Sequence, residues 1–196
     1  MSAGYRALLG LPIVAITCSF VFTAPRVEAR AEADAADVTV REQDGIYHVA
    51  ATFSVAQSAP VVFAVLTGYE EIPRYMPDVR SSRVIERSDG RAVVEQEAVA
   101  RVMMFSKRVH LLLDVREEPR VIRFRDRCGR SFDHYEGAWT LTAAAGAGRV
   151  DVRYELAAKP SFDVPEFLIK RLLKRDAQEM IRRLRDEMAR VAPAGR

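Results

Sequence analysis

The chain has 196 residues, of which 49% are hydrophobic and 29% charged, with a formal net charge of +3. That length allows one domain with a tail, and that apolar content excludes wholesale disorder. So small a net charge gives no reason by itself to expect a nucleic-acid partner, and none is expected.

The first 36 residues differ from the rest. Arg6 is the only charge before an uncharged run over 7–24, rich in Leu, Ile, Val and Phe. Val27-Glu28-Ala29 and Ala31-Glu32-Ala33 follow, both with the small-x-small form that a signal peptidase accepts. The pattern predicts a signal peptide over 1–29, cleaved after Ala29, and therefore an exported, periplasmic protein. The run is also at the lower edge of a membrane span, so an uncleaved anchor in the inner membrane is the alternative. Ala15-Ile16-Thr17 before Cys18 is a poor match to a lipoprotein site. Residues 30–44 are rich in Ala and acids and are expected to form a loose linker, with the folded domain over 45–192. Cleavage leaves Cys128 as the single thiol, so no internal disulfide can support the domain.

Residues 46–55 alternate, with Tyr47, Val49, Ala51, Phe53 and Val55 on one side and His48, Thr52 and Ser54 on the other. This is the period of a half-buried strand. Ser58 is placed to cap a short helix with Pro60 in its first turn and Gly68 at its end. In 69–77, Pro73 and Pro77 limit the chain to a short helix at most.

Six strands are expected next: 82–87, 92–105, 108–116, 120–128, 132–142 and 149–159. Turn signals separate them, including Asp89-Gly90, Ser106-Lys107, Glu118-Pro119 and Gly129-Arg130. Such short connections imply an antiparallel meander. Val150, Val152, Tyr154, Leu156 and Ala158 oppose Arg149, Asp151, Arg153, Glu155 and Lys159, and the strands at 108–116 and 120–128 divide in the same way. One dry face and one wet face describe a single sheet with a single cover.

The cover is the stretch 165–191. Ile169, Leu172, Leu173, Ala177, Met180, Ile181, Leu184, Met188 and Val191 form one stripe of a helix about 40 Å long. Asp163 is the expected N-cap, Pro165 suits the first turn, and Pro193 and Gly195 follow the end. Residues 165–196 hold nine Lys/Arg against five Asp/Glu. A solvated face accounts for this; contact with a membrane surface or an acidic partner is the alternative. The predicted fold is α+β: a curved antiparallel sheet wrapped around a long C-terminal helix.

The segment 58–66 with 69–77, the strand 82–86, Glu136-Gly137-Ala138-Trp139-Thr140-Leu141, Val152-Arg153-Tyr154-Glu155-Leu156 and Pro165 give an order of elements that resembles the START-like (SRPBCC, helix-grip) superfamily. The similarity covers about 46–191. Within that superfamily it points to the polyketide cyclase/dehydrase and coenzyme-Q-binding Coq10-type group. The resemblance implies an apolar cavity between sheet and long helix, with the short helices at its mouth. Such cavities hold lipids, quinones, sterols or polyketides, and fold alone does not select among them. Phe63, Tyr75, Met76, Gln96, Met104, Phe124, Asp126, Trp139, Tyr154, Leu173 and Met180 are the expected ligand-binding residues. No catalytic residue, metal or other cofactor is expected.

Residue by residue, the chemistry is sparse. No Cys-x-x-Cys, His-Glu-x-x-His, Gly-rich phosphate loop or Gly-x-Ser-x-Gly occurs. His48 and His110 fall on the polar side of their strands. Alternation splits Asp133-His134-Tyr135-Glu136 between two faces. Asp126 and Gln96 share the parity of apolar neighbours, where an unpaired polar group is costly. Two readings stand for them: an internal salt bridge or strand-end exposure, or a polar group inside a cavity that orients a ligand headgroup or moves a proton. Met103, Met104, Phe105, Tyr75 and Met76 either line the opening or fill the core. The expected function is an exported, monomeric carrier of an apolar or amphipathic small molecule, without chemistry. Two alternatives are kept: a polyketide cyclase/aromatase, and an interaction module of the ribosome-associated toxin type, against which the export signal argues.

Overall fold

The computed structural model describes residues 36–102, 105–144, 148–162 and 165–191. The segment expected as a signal peptide and the expected N-cap Asp163 lie outside the described residues.

Eight strands form one antiparallel sheet: β1 Asp37–Gln43, β2 Ile46–Val55, β3 Val79–Ser88, β4 Arg91–Val102, β5 Phe105–Glu118, β6 Val121–Asp126, β7 Phe132–Ala143 and β8 Val150–Pro160. Their spatial order is β1-β2-β8-β7-β6-β5-β4-β3. Strands β3 to β8 therefore make the expected meander, and β2 closes onto β8. Helix α1 (Ala59–Thr67), a 3-10 turn (Tyr69–Glu71) and the single turn α2 (Ile72–Tyr75) connect β2 to β3; α3 (Glu166–Val191) ends the fold.

Two expectations are corrected. The supposed linker 30–44 contains β1, which buries Val38 and half-buries Val40 against the core. Its hairpin to β2 turns at Asp44-Gly45, both with positive φ (55° and 77°), the two-residue turn that matches strand twist. The β4–β5 hairpin turns between Val102 and Phe105, which pair with each other, and not at Ser106-Lys107. A connection without Gly, Asn or Asp carries no turn signature.

The dry face behaves as the alternation requires. Val49, Ala51, Phe53, Val94, Leu111, Val115, Ile122, Leu141, Val152 and Leu156 form one buried cluster with Ala177, Ile181, Leu184 and Met188 of α3. Ser58 occupies the cap position of α1, but only its carbonyl is used, accepting the amide of Val62 at 3.1 Å. The β3 register shifts between Val84 and Glu86, which leaves Ile85 50% exposed.

Helix α3 does not lie centrally. Its backbone comes closest to β1, β2 and α1, at one side of the sheet. Over 177–188 it is sealed, burying Ala177, Ile181, Leu184, Glu187 and Met188; over 166–176 it buries only Ile169. Leu173 and Met180 remain half-buried, and so do Ala98, Ala100, Phe124, Phe132 and Tyr135 on the inner face of the strands farther from the helix.

Candidate functional site

The half-buried inner residues of β4, β6 and β7, with Leu173 and Met180 of α3 packed against the same core cluster, define the candidate site. Register fixes its layout. Gln96 stands opposite Leu111, Leu113 opposite Asp126, Phe124 opposite Gly137, and Trp139 opposite Tyr154. Strand β5 therefore separates Gln96 from Asp126, with the two partner positions two residues apart.

Gln96 donates through Nε2 to the Oγ of buried Ser82 at 3.1 Å. That bond orients the amide. Its carbonyl oxygen makes no hydrogen bond among the described residues, which leaves an acceptor on the inner face.

Asp126 is differently employed. Its carboxylate accepts the amides of Leu112 (2.8 Å), Gly129 (3.0 Å) and Cys128 (3.3 Å), and the Cys128 thiol at 3.2 Å. The parity argument holds, since the β5–β6 pairing has no register shift. The reason for the half-buried carboxylate is local, however. It closes the end of β6 by taking amides that have no strand partner. No salt bridge to it occurs among the described residues, and its oxygens are occupied by backbone amides and the thiol.

Aromatic side chains form the wall beside it. Tyr135 packs against Phe132 at 4.8 Å and Phe124 at 5.9 Å between ring centroids. Burial, with the Asp126 carboxylate nearby, pushes its hydroxyl up to about 12. It thus stays protonated at neutral pH, and it makes no hydrogen bond among the described residues. Sequence reasoning passed over Tyr135. The available signal was its shared parity with Gly137 and Trp139. Trp139 and Tyr154 stack at 4.4 Å and are only 9% and 5% exposed. They stand behind the wall as core, and burial raises the Tyr154 hydroxyl well above its ordinary value.

The short helices are clamped on both flanks. Tyr69 donates to Glu117 at 2.8 Å, and Arg87 reaches the same carboxylate at 3.6 Å. On the other side Arg74 pairs with Glu187 of α3, and Arg183 donates to the carbonyl of Tyr75 at 3.4 Å. Glu187 is 6% exposed and interrupts the apolar stripe. The hydrogen bond from Arg190, with Arg74 beside it, holds its carboxyl below the usual range against the cost of burial. Tyr75 lies along this seam, its hydroxyl pushed up to about 12 by burial and by Glu187. Phe63 and Met76 are half-buried against the core. Met104 lies outside the described residues.

A curved antiparallel sheet holding one long helix, with short helices clamped across one side, defines a helix-grip protein. The chain belongs to the family described as polyketide cyclase/dehydrase and lipid transport, which its residues 55–185 match. No curated protein matches it by sequence. Solved structures share the fold. A START superfamily protein from Mycobacterium smegmatis is 18% identical with a TM-score of 0.63, covering 74% of this chain and 99% of its own. The Zhui aromatase/cyclase from Streptomyces sp. R1128 is 18% identical with a TM-score of 0.65, covering 76% and 97%. A STAR-related lipid transfer protein fragment from Xanthomonas axonopodis is 18% identical with a TM-score of 0.56, covering 80% and 99%.

Proposed function

We propose that the protein is an exported carrier that holds an apolar or amphipathic small molecule between the sheet and α3. The ligand is a lipid, an isoprenoid quinone or a polyketide-like molecule. One observation carries this reading: the apolar inner side chains farther from α3 stay half-buried although the fold has a helix to cover them. A close-packed interior would seal them. Gln96 supplies one oriented polar contact, the usual complement of an apolar site.

Export rests on the sequence over 1–29, and the protein then works as a periplasmic monomer, free or anchored at the inner membrane. A reporter active only outside the cytoplasm should be active when fused to residues 1–36, and N-terminal sequencing should start near Arg30. A soluble cytoplasmic protein that retains Met1 would refute export. Delivery to a bilayer would use the start of α3, where Phe167 is 71% exposed beside Lys170, Arg171 and Lys174.

A second reading, a cyclase/aromatase, is favoured by the protonated Tyr135 hydroxyl beside Asp126. The two separate by turnover. Under the carrier reading Tyr135→Phe and Asp126→Asn change affinity or stability modestly. If Tyr135 is a positioned acid, Tyr135→Phe with intact folding lowers turnover of a polyketide substrate by about 10²–10⁴-fold. Such a loss would overturn the carrier reading.

A further inference from the structure

The face of the sheet turned away from α3 carries a cleft of its own, with a volume of about 1160 Å³. Register places three arginines directly opposite one another on its wall: Arg91 of β4 against Arg116 of β5, and Arg116 against Arg123 of β6. With strands about 4.8 Å apart, the row spans about 10 Å.

Like charges directly opposite destabilise a sheet. Several arginines on this face are paired: Arg83 with Glu95 at 2.5 Å, Arg127 with Asp114 at 3.3 Å, Arg153 with Glu155 at 2.6 Å. The row, like Arg125 in the same cleft, is not so neutralised among the described residues. Arg91 and Arg116 make no hydrogen bond or ion pair among the described residues. Arg123 reaches only Glu118, at 3.0 Å, in a solvent-exposed pair. Exposed pairs of that kind contribute little.

Next to the row the floor changes character. Arg123 stands opposite Ala138, and Ala50 and Ala157 lie in the same cleft, with Glu155, paired to Arg153, standing between Ala138 and Ala50. Small residues let a ligand body approach the backbone, while guanidinium forks match phosphate oxygens.

We propose that this outer cleft binds a small molecule bearing two or more phosphate groups. The phosphates lie along Arg91, Arg116 and Arg123, and the rest of the molecule lies toward Ala138 and Glu155. Glu86, Asp114, Glu136 and Glu155 also line the cleft, but Asp114 and Glu155 are held by Arg127 and Arg153, and the row of three adjacent cations meets only Glu118, so the row suits a compact polyanion, and the cleft is of small-molecule size.

The test is calorimetric titration of the full chain with inorganic tripolyphosphate at low ionic strength, alongside melting with and without it. Arg116→Gln and Arg91→Gln each remove a member of the row, and Arg83→Gln is the control on the same face. Binding by the parent is expected, weakened about tenfold or more in either row variant and unchanged in the control. Without the anion, Arg116→Gln should melt at or above the parent, because it relieves repulsion. No binding by the parent, or equal weakening in the control, would overturn the site. So would a concentration-dependent dimer that Arg116→Gln abolishes, because the face would then be occupied by a second copy.

Discussion

The ring of Phe124 lies across Gly137 on the neighbouring strand. A Cβ on Gly137 would stand 2.6 Å from Phe124 Cζ and 2.3 Å from the carbonyl oxygen of Glu155. Real Cβ atoms do not approach so closely, and the second obstacle is backbone. Gly137→Ala should therefore cost about 1–3 kcal/mol, as overpacking typically does, and lower the melting temperature by several degrees. Because Glu155 cannot swing away, Phe124→Ala should not rescue it. A double-mutant cycle by denaturant melts checks this; full rescue would place the whole strain on the ring.

Asp126 holds the end of β6 through the amides of Leu112, Cys128 and Gly129. Asp126→Ala strands those amides and should cost about 1–3 kcal/mol, while Asp126→Asn, with one oxygen left, should cost less. Chemical denaturation reads both. Binding of an apolar probe should persist in Asp126→Asn, since the carboxylate is spent on the backbone.

Glu187 gives a pH dependence with a definite sign. Its carboxyl is depressed in the fold, chiefly by the Arg190 hydrogen bond. A depressed carboxyl contributes stability that is present above its unfolded value, near 4.5, and is lost as pH falls through the folded value. Melting temperature should thus drop on acidification from about pH 5 to pH 3, more steeply in the parent than in Glu187→Gln. Equal slopes would mean that the pairs of Glu187 with Arg190 and Arg74 contribute nothing. Glu179, held at about 2 mainly by its hydrogen bond from Arg182, sits in an exposed network and should add little.

Much of this architecture was legible because β8 and β5 alternate cleanly and α3 carries a single stripe over seven turns. Those patterns depend only on which side of an element is covered. What escaped depended on neighbours distant in sequence. Strand β1 is short and acidic, and only Val38 and Val40 mark it, since its other cover is the helix that closes the fold. Asp44-Gly45 is the same dipeptide as Asp89-Gly90, which was readable as a turn because alternating strands flank it. Glu187 falls on the apolar stripe, and nothing in its own segment shows that Arg74, 113 residues earlier, meets it. Of the expected site, parity placed Gln96, Phe124 and Asp126 correctly on the inner face. It could not show that Asp126 faces backbone amides, that Trp139 and Tyr154 are closed in behind, or that Tyr135 completes the wall.

Leu173 and Met180 are half-buried on α3, and the carrier reading requires open space beside them. Trp at either position overpacks a filled core, at about 1–3 kcal/mol, but merely occupies an open one. At least one of Leu173→Trp and Met180→Trp should melt nearly as the parent does and no longer bind a fluorescent fatty acid or quinone analogue. Strong destabilisation in both would mean that the space is already full.

Native mass spectrometry of the gently purified parent shows whether the fold holds a ligand. The protein should emerge carrying one apolar small molecule, released on denaturation and missing from whichever Trp variant keeps the parent's stability. A parent that emerges empty and takes up neither fatty acid nor quinone analogue would contradict it.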